Sequence, residues 1–96
     1  MTLSQKNAYK SAQSYLRYSG FSRQRLIKQL EYEKYSTADA TAAVDALVVD
    51  WNQEAAECAA SYMKTSSFSR DKLYDQLIYE GFTPSQAEYG VQSVGY

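Results

Sequence analysis

Histidine is absent from this 96-residue chain, and cysteine, proline and glycine are scarce. Without histidine the chain lacks the usual general base and the commonest metal ligand. The single cysteine, Cys58, can form neither an intrachain disulfide nor a CxxC metal site. No glycine-rich phosphate loop and no cluster of Cys or Asp ligands occurs either. We therefore expect a protein that is not an enzyme and has no cofactor, no metal and no small-molecule substrate.

Long apolar runs are also missing. None approaches the roughly 18 residues of a membrane-spanning helix, and from the sequence as given we expect no secretory signal before Met1. We expect the chain itself to be soluble. Disorder is not expected, because 45% hydrophobic and 15% aromatic residues supply enough apolar surface to offset chain entropy.

What the chain does contain is an internal repeat, with a period of 47 residues and no gap. The segment Phe21–Arg23, for example, recurs as Phe68–Arg70. A period of this size indicates a small unit that buries its apolar face against a neighbour. The sequence therefore predicts an all-α chain of two tandem three-helix, helix-turn-helix repeats, at residues 1–49 and 50–96, forming one compact unit.

Capping residues mark where the helices begin. Ser22 and Ser69 each follow a phenylalanine and precede a leucine four positions on, which is the hydrophobic staple of a helix start. Ser36 and Thr83 also follow an aromatic residue and suit the start of a third helix, whose first position in the second repeat is Pro84.

The join between the repeats allows two interpretations. Residues 37–64 contain no glycine or proline, and their apolar side chains stay within a helical stripe about 120° wide. This stripe favours one long helix, over about residues 36–64, shared by both repeats in a five-helix chain. The competing interpretation breaks the helix at Asp50, because Asp50 with Gln53 can form a capping box.

Charge is distributed unevenly. Residues 1–34 carry seven basic and two acidic side chains, whereas residues 35–63 carry five acidic side chains and no basic one. On the predicted shared helix, four acids fall on one exposed face. This asymmetry suits oriented contact with a charged partner, although an ordinary solvated surface explains it equally well.

Helix-turn-helix units also suggest DNA binding, but the sequence disfavours it. The third predicted helix, residues 36–50, has three aspartates and no lysine or arginine. A sequence pI of about 5.3 argues in the same direction. Nucleic acid is therefore an unlikely partner.

Tyrosine is abundant, with ten residues. Tyr15, Tyr35 and Tyr62 occupy stripe or staple positions and are expected in the core. Tyr32 and Tyr79 recur at the end of the second helix, where we expect partial exposure. Tyrosine is enriched in interfaces, but it also tolerates half-burial without any partner.

The twice-repeated element Phe-Ser-Arg-x2-Leu-x2-Gln-Leu, with the linker Asp50-Trp51-Asn52, resembles the Ltp-like, host cell surface-exposed lipoprotein family from about Asn7 to Val94. The resemblance implies tandem helix-turn-helix repeats behind a lipoprotein signal. It also implies, for phage-encoded members, superinfection exclusion: the domain blocks phage DNA injection by binding a tape measure protein. Such a domain works at the outer face of the cytoplasmic membrane or at the cell surface, if an N-terminal anchor exists.

We accordingly predict a non-enzymatic surface binding module whose partner is a phage tape measure protein. The alternative is a bacterial cell-surface adhesion or scaffold module whose basic N-terminal helices bind anionic wall or membrane components. The predicted partner-binding residues are Asp39, Asp50, Glu54, Glu57, Tyr32 and Tyr79.

Overall fold

Six α-helices and no strands make up the computed structural model, which describes residues 1–96. The first three helices form the first repeat and the last three form the second. This confirms the predicted all-α fold of tandem helical repeats. The helices are α1 (Leu3–Tyr18), α2 (Arg23–Tyr32), α3 (Thr37–Ala46), α4 (Trp51–Thr65), α5 (Arg70–Tyr79) and α6 (Pro84–Ser93).

The predicted caps are confirmed. The hydroxyl groups of Ser22, Ser36 and Ser69 each accept a hydrogen bond from the backbone N–H three positions on. Thr83 forms a reciprocal capping box with Gln86, and α6 has its proline in the first turn. These starts are specified locally, because each cap satisfies a backbone N–H that the helix itself leaves without a partner.

The predicted shared helix over residues 36–64 is wrong, because the chain leaves helical geometry between α3 and α4. Leu47 is extended, with φ −73° and ψ 145°. The Asp50 carboxylate caps α4 and accepts a hydrogen bond from the Gln53 N–H at 3.1 Å. Val48 is fully exposed in the middle of the supposed apolar stripe. The stripe kept its phase because α3 and α4 each have an apolar face, but the two faces cover different cores.

Each repeat has a core of its own within a molecule measuring 44 × 22 × 20 Å. Trp51 crosses this division: it begins α4, yet its side chain packs against the core of the first repeat. The buried residues of the first core are Ala8, Ala12, Leu26, Leu30, Ala40, Ala43 and Val44. Those of the second core are Ala55, Cys58, Ala59, Leu73, Leu77, Phe82, Ala87 and Val91.

A hydrogen-bonded network recurs beside each core. The Tyr62 hydroxyl donates to the Glu80 carboxylate at 2.5 Å and accepts from the Gln76 amide at 3.1 Å. This network explains why tyrosine, glutamine and glutamate are duplicated with the apolar residues. The first repeat forms it from Tyr15, Gln29 and Glu33.

No helix in the fold combines the length and the apolar character that crossing a bilayer requires.

Candidate binding groove between the repeats

The connection between α1 and α2 lies directly against α4. A Cβ atom placed on Gly20 would lie 2.6 Å from the Glu54 carbonyl oxygen and 2.9 Å from the Cys58 backbone nitrogen. Only glycine permits so close an approach of two backbones. The equivalent position of the second repeat is Ser67, which is exposed. Gly20 therefore serves the contact between the repeats rather than the fold of either one.

Glu54 does not lie on an exposed acidic face, and that prediction is wrong for this residue. Its side chain is only 9% exposed, because the α1–α2 connection covers it. The Glu54 carboxylate accepts a hydrogen bond from the Phe21 N–H at 3.0 Å. Burial and the nearby charges of Glu57 and Asp50 raise the pKa of Glu54, while the bond from Phe21 acts in the opposite direction.

A second polar contact joins α2 to the turn between α5 and α6. The Ser22 hydroxyl donates to the Glu80 carbonyl oxygen at 2.6 Å while it caps α2. The Arg25 guanidinium pairs with the Glu80 carboxylate, which also accepts from Tyr62. Gly81 has a φ of +101°, and a Cβ atom there would lie 2.6 Å from the Ser22 hydroxyl oxygen. Gly81 thus allows the turn that ends α5, and its lack of a side chain leaves room for Ser22 of the first repeat.

A groove made of three adjoining depressions follows this junction. The depression between α1 and α4 measures about 430 Å³, the central one about 260 Å³ and that between α2 and α5 about 490 Å³. Tyr18 and Tyr79 stand near the two ends, with 87% and 83% of their surface exposed. We call this feature the seam groove. Its main side chains are Tyr18 and Glu57 at one end, Arg25 and Glu80 at the centre, and Lys28 and Tyr79 at the other end.

The side chains that line the seam groove decide what chemistry it can support. Cys58 lines its centre, but burial and the Glu80 charge raise the pKa of the thiol to about 12, so it stays protonated and is a poor nucleophile. No group of three or more His, Cys, Asp or Glu side chains is placed to hold a metal ion. Aromatic surface, charged side chains and hydrogen-bonding groups are what the groove offers to a partner.

The six predicted partner-binding residues do not lie together in the structure. Glu57 and Tyr79 line the seam groove, and Glu54 is buried beneath it. The other three lie outside the groove: Tyr32 is 82% exposed, Asp39 is half-buried and Asp50 caps α4. The predicted exposure of Tyr32 and Tyr79 is confirmed.

Sequence reasoning missed the residues that bring the repeats together. Gly20 replaces a serine of the other repeat, and Arg25 replaces a lysine. These departures from the repeat were the available signal. A position that differs between two copies of one fold is a candidate for a contact that only one copy makes.

A comparison with known protein families also finds two repeats in the chain. The family model described as host cell surface-exposed lipoprotein matches the chain twice, at residues 4–47 and 50–94. The solved structure of Ltp, a superinfection exclusion protein from the Streptococcus thermophilus temperate phage TP-J34, is similar with a TM-score of 0.88. The two chains are 32% identical, and the match covers 96% of each. No protein with a curated description matches the sequence. The chain belongs to the host cell surface-exposed lipoprotein family.

Proposed function

We propose that this chain is a superinfection exclusion module, which binds a protein of an incoming phage and stops injection of the phage DNA. The observation that carries the proposal is the likeness to Ltp, at 32% identity over 96% of both chains. That likeness includes both repeats and so extends across the junction between them. We place the module at the outer face of the cytoplasmic membrane, in keeping with the description of its family as surface-exposed lipoproteins.

The proposed contact site is the seam groove, and the proposed partner segment is an amphipathic helix of a tape measure protein. Tyr18 and Tyr79 would serve as aromatic anchors, because tyrosine buries a large area with few torsions to immobilise. A helix laid along a groove places residues at i, i+3, i+4 and i+7 against such anchors. Glu57 supplies the acidic part of the contact within the groove, and Asp39 and Asp50, which lie outside it, are proposed as flanking acidic contacts, whereas Glu54 is buried.

The test of function separates two steps of infection. Bacteria that display the chain from the outer face of the cytoplasmic membrane are challenged with phage, and adsorption and DNA entry are measured independently. We expect normal adsorption with blocked DNA entry. Unimpaired entry would contradict the proposal, and so would protection that arises wholly from lost adsorption.

The test of the site uses a matched pair of tyrosines. Tyr79 and Tyr32 occupy equivalent repeat positions with almost equal exposure, 83% and 82%, but only Tyr79 lines the groove. Tyr79→Ala is expected to weaken binding by roughly 30-fold, as for an interface hot spot, whereas Tyr32→Ala keeps protection. If Tyr32→Ala weakens binding and Tyr79→Ala does not, the contact lies outside the groove.

The acidic contact is tested without disturbing the fold. The triple variant Asp39→Asn, Asp50→Asn, Glu57→Gln removes three charges, and asparagine caps a helix as well as aspartate does. If this variant protects bacteria as fully as the original chain, the acidic contact is wrong.

A further inference from the structure

Helix α1 exposes a stripe of basic side chains on the face opposite its core contact. Ala8 and Ala12 are fully buried in the first core. Lys6, Lys10 and Arg17 are exposed. At 3.6 residues per turn they lie within about 40° of one another and almost opposite the two alanines. The stripe therefore points away from the protein.

No acid forms an ion pair with this stripe, although Glu57 lines the same depression as Arg17. α1 contains no aspartate or glutamate, and the ion pairs of the molecule all start from arginines of α2 or α5. Nor does the fold require the basic residues. The equivalent positions on α4 are Gln53, Glu57 and Lys64. The first repeat thus carries a cluster of positive charges on α1, and the second repeat folds in the same way although α4 has no such cluster.

Exposed apolar side chains border the basic stripe. Leu3 is 74% exposed and Met1 is 59% exposed, and both line a shallow depression with Lys6 and Lys10. Basic residues beside exposed apolar ones suit the interfacial layer of an anionic bilayer, where lysines meet headgroup phosphates and apolar side chains enter the acyl boundary. A water-soluble polyanion would match the charges but would give Leu3 and Met1 no apolar surroundings.

We propose that α1 docks on an anionic phospholipid bilayer, with Lys6, Lys10 and Arg17 on headgroup phosphates and Leu3 in the interfacial layer. From Leu3 to Arg17 the contact is about 21 Å long, at 1.5 Å of helix per residue. The family is described as host cell surface-exposed lipoproteins, and a lipid anchor would hold such a protein beside a bilayer. Because Arg17 also borders the seam groove, docking holds that end of the groove next to the membrane. This inference does not rest on the proposed phage partner.

Co-sedimentation of the full chain with lipid vesicles tests the proposal. We expect binding to vesicles that contain phosphatidylglycerol, none to pure phosphatidylcholine, and loss of binding as salt screens the charges. Each basic residue near an anionic surface contributes about fivefold to partitioning. Lys6→Gln with Lys10→Gln should therefore lower the partition coefficient by about 25-fold.

The matched control removes the same charge elsewhere. Lys34→Gln with Lys72→Gln, both outside α1, should lower partitioning less than about threefold. Equal loss from both pairs would overturn the proposal, because it would mean diffuse attraction without a docking face. Circular dichroism of each variant checks the fold, and glutamine at exposed helical positions is a good helix former.

Leu3 separates a bilayer from a soluble polyanion. Leu3→Gln should lower vesicle binding by at least about fivefold, since apolar burial is lost while every charge is kept. A soluble poly(glycerol phosphate) added as competitor should displace the chain poorly. Full binding by Leu3→Gln, with complete displacement by the polymer, would overturn the proposal in favour of a wall polymer.

Discussion

At the scale of single residues, Glu54 is a carboxylate that the contact between the repeats buries. Along α4 it follows the spacing of an exposed acid, and its neighbours Asp50 and Glu57 are indeed exposed. Its burial comes from Gly20, more than 30 residues earlier in the chain, whose missing side chain lets the α1–α2 connection settle on α4. Residue pattern within one helix contains no information about such a contact.

The raised pKa of Glu54 predicts how stability depends on pH. A pKa that is higher in the folded state means that the folded chain binds the proton more tightly than the unfolded chain. This stabilisation is complete below the ordinary glutamate pKa of about 4.3 and is lost as the pH rises through the folded-state value. Glu54→Gln keeps an acceptor for the Phe21 N–H without the charge. We expect this variant to be more stable than the original chain at pH 7 and nearly equal to it at pH 4.

Thermal unfolding at both pH values checks this prediction, with two controls. Asp75→Asn, on an exposed acid of α5, should change neither value. Glu54→Ala leaves the Phe21 N–H without its acceptor and should lower the free energy of unfolding by about 1–3 kcal/mol. If the original chain is more stable than Glu54→Gln at pH 7, the surroundings of Glu54 favour the charged carboxylate and the prediction is wrong.

At the scale of elements, the sequence predicted the starts of α2, α3, α5 and α6 because caps and staples act over about four residues. The break between α3 and α4 could not be predicted from apolar periodicity. Apolar periodicity shows which side of a helix is buried, but it does not show whether two successive stripes cover the same core. The deciding feature was the capping residue Asp50, followed by its hydrogen-bond donor Gln53.

The break at Asp50 predicts opposite mutational effects for the two interpretations of the junction. As an N-cap, Asp50 should contribute about 1 kcal/mol, so Asp50→Ala lowers the free energy of unfolding while Asp50→Asn preserves it. In a continuous helix the same alanine would stabilise, because alanine has the highest helix propensity. Urea denaturation measures the sign, and Asp75→Ala, in the middle of α5, is the control for propensity alone.

At the scale of the whole molecule, two small cores depend on a polar junction. Each repeat is about half of a chain of 96 residues, and a domain that small buries too little apolar surface for a large margin of stability. Duplication revealed the repeats, but it did not reveal how they meet, because Gly20 and Arg25 are among the positions where the copies differ. The repeat pattern did not predict the seam groove either, because the signal for it lies only in the departures from the repeat, such as Gly20 opposite Ser67.

If the junction couples the repeats, Gly20→Ala should uncouple them. The added methyl group would meet backbone atoms of α4 that cannot rotate aside, at a cost of about 1–3 kcal/mol. Trp51, the single tryptophan, packs on the first core and reports its unfolding by fluorescence, whereas far-ultraviolet circular dichroism reports all six helices. The two transitions should coincide in the original chain and separate in Gly20→Ala.

Gly90→Ala is the matched control, because it adds the same methyl group inside the second repeat. A Cβ atom on Gly90 would lie 2.8 Å from the Leu77 side chain and 3.1 Å from the Ala55 carbonyl oxygen, both in the second repeat, so the substitution leaves the contact between the repeats unchanged. The fluorescence and dichroism transitions should therefore still coincide in this variant. Coincident transitions and an unchanged midpoint in Gly20→Ala would mean that the close approach at Gly20 is not what couples the repeats. The coupling, and with it the shape of the seam groove, would then rest on Trp51 and on the contacts of Ser22 and Arg25 with Glu80.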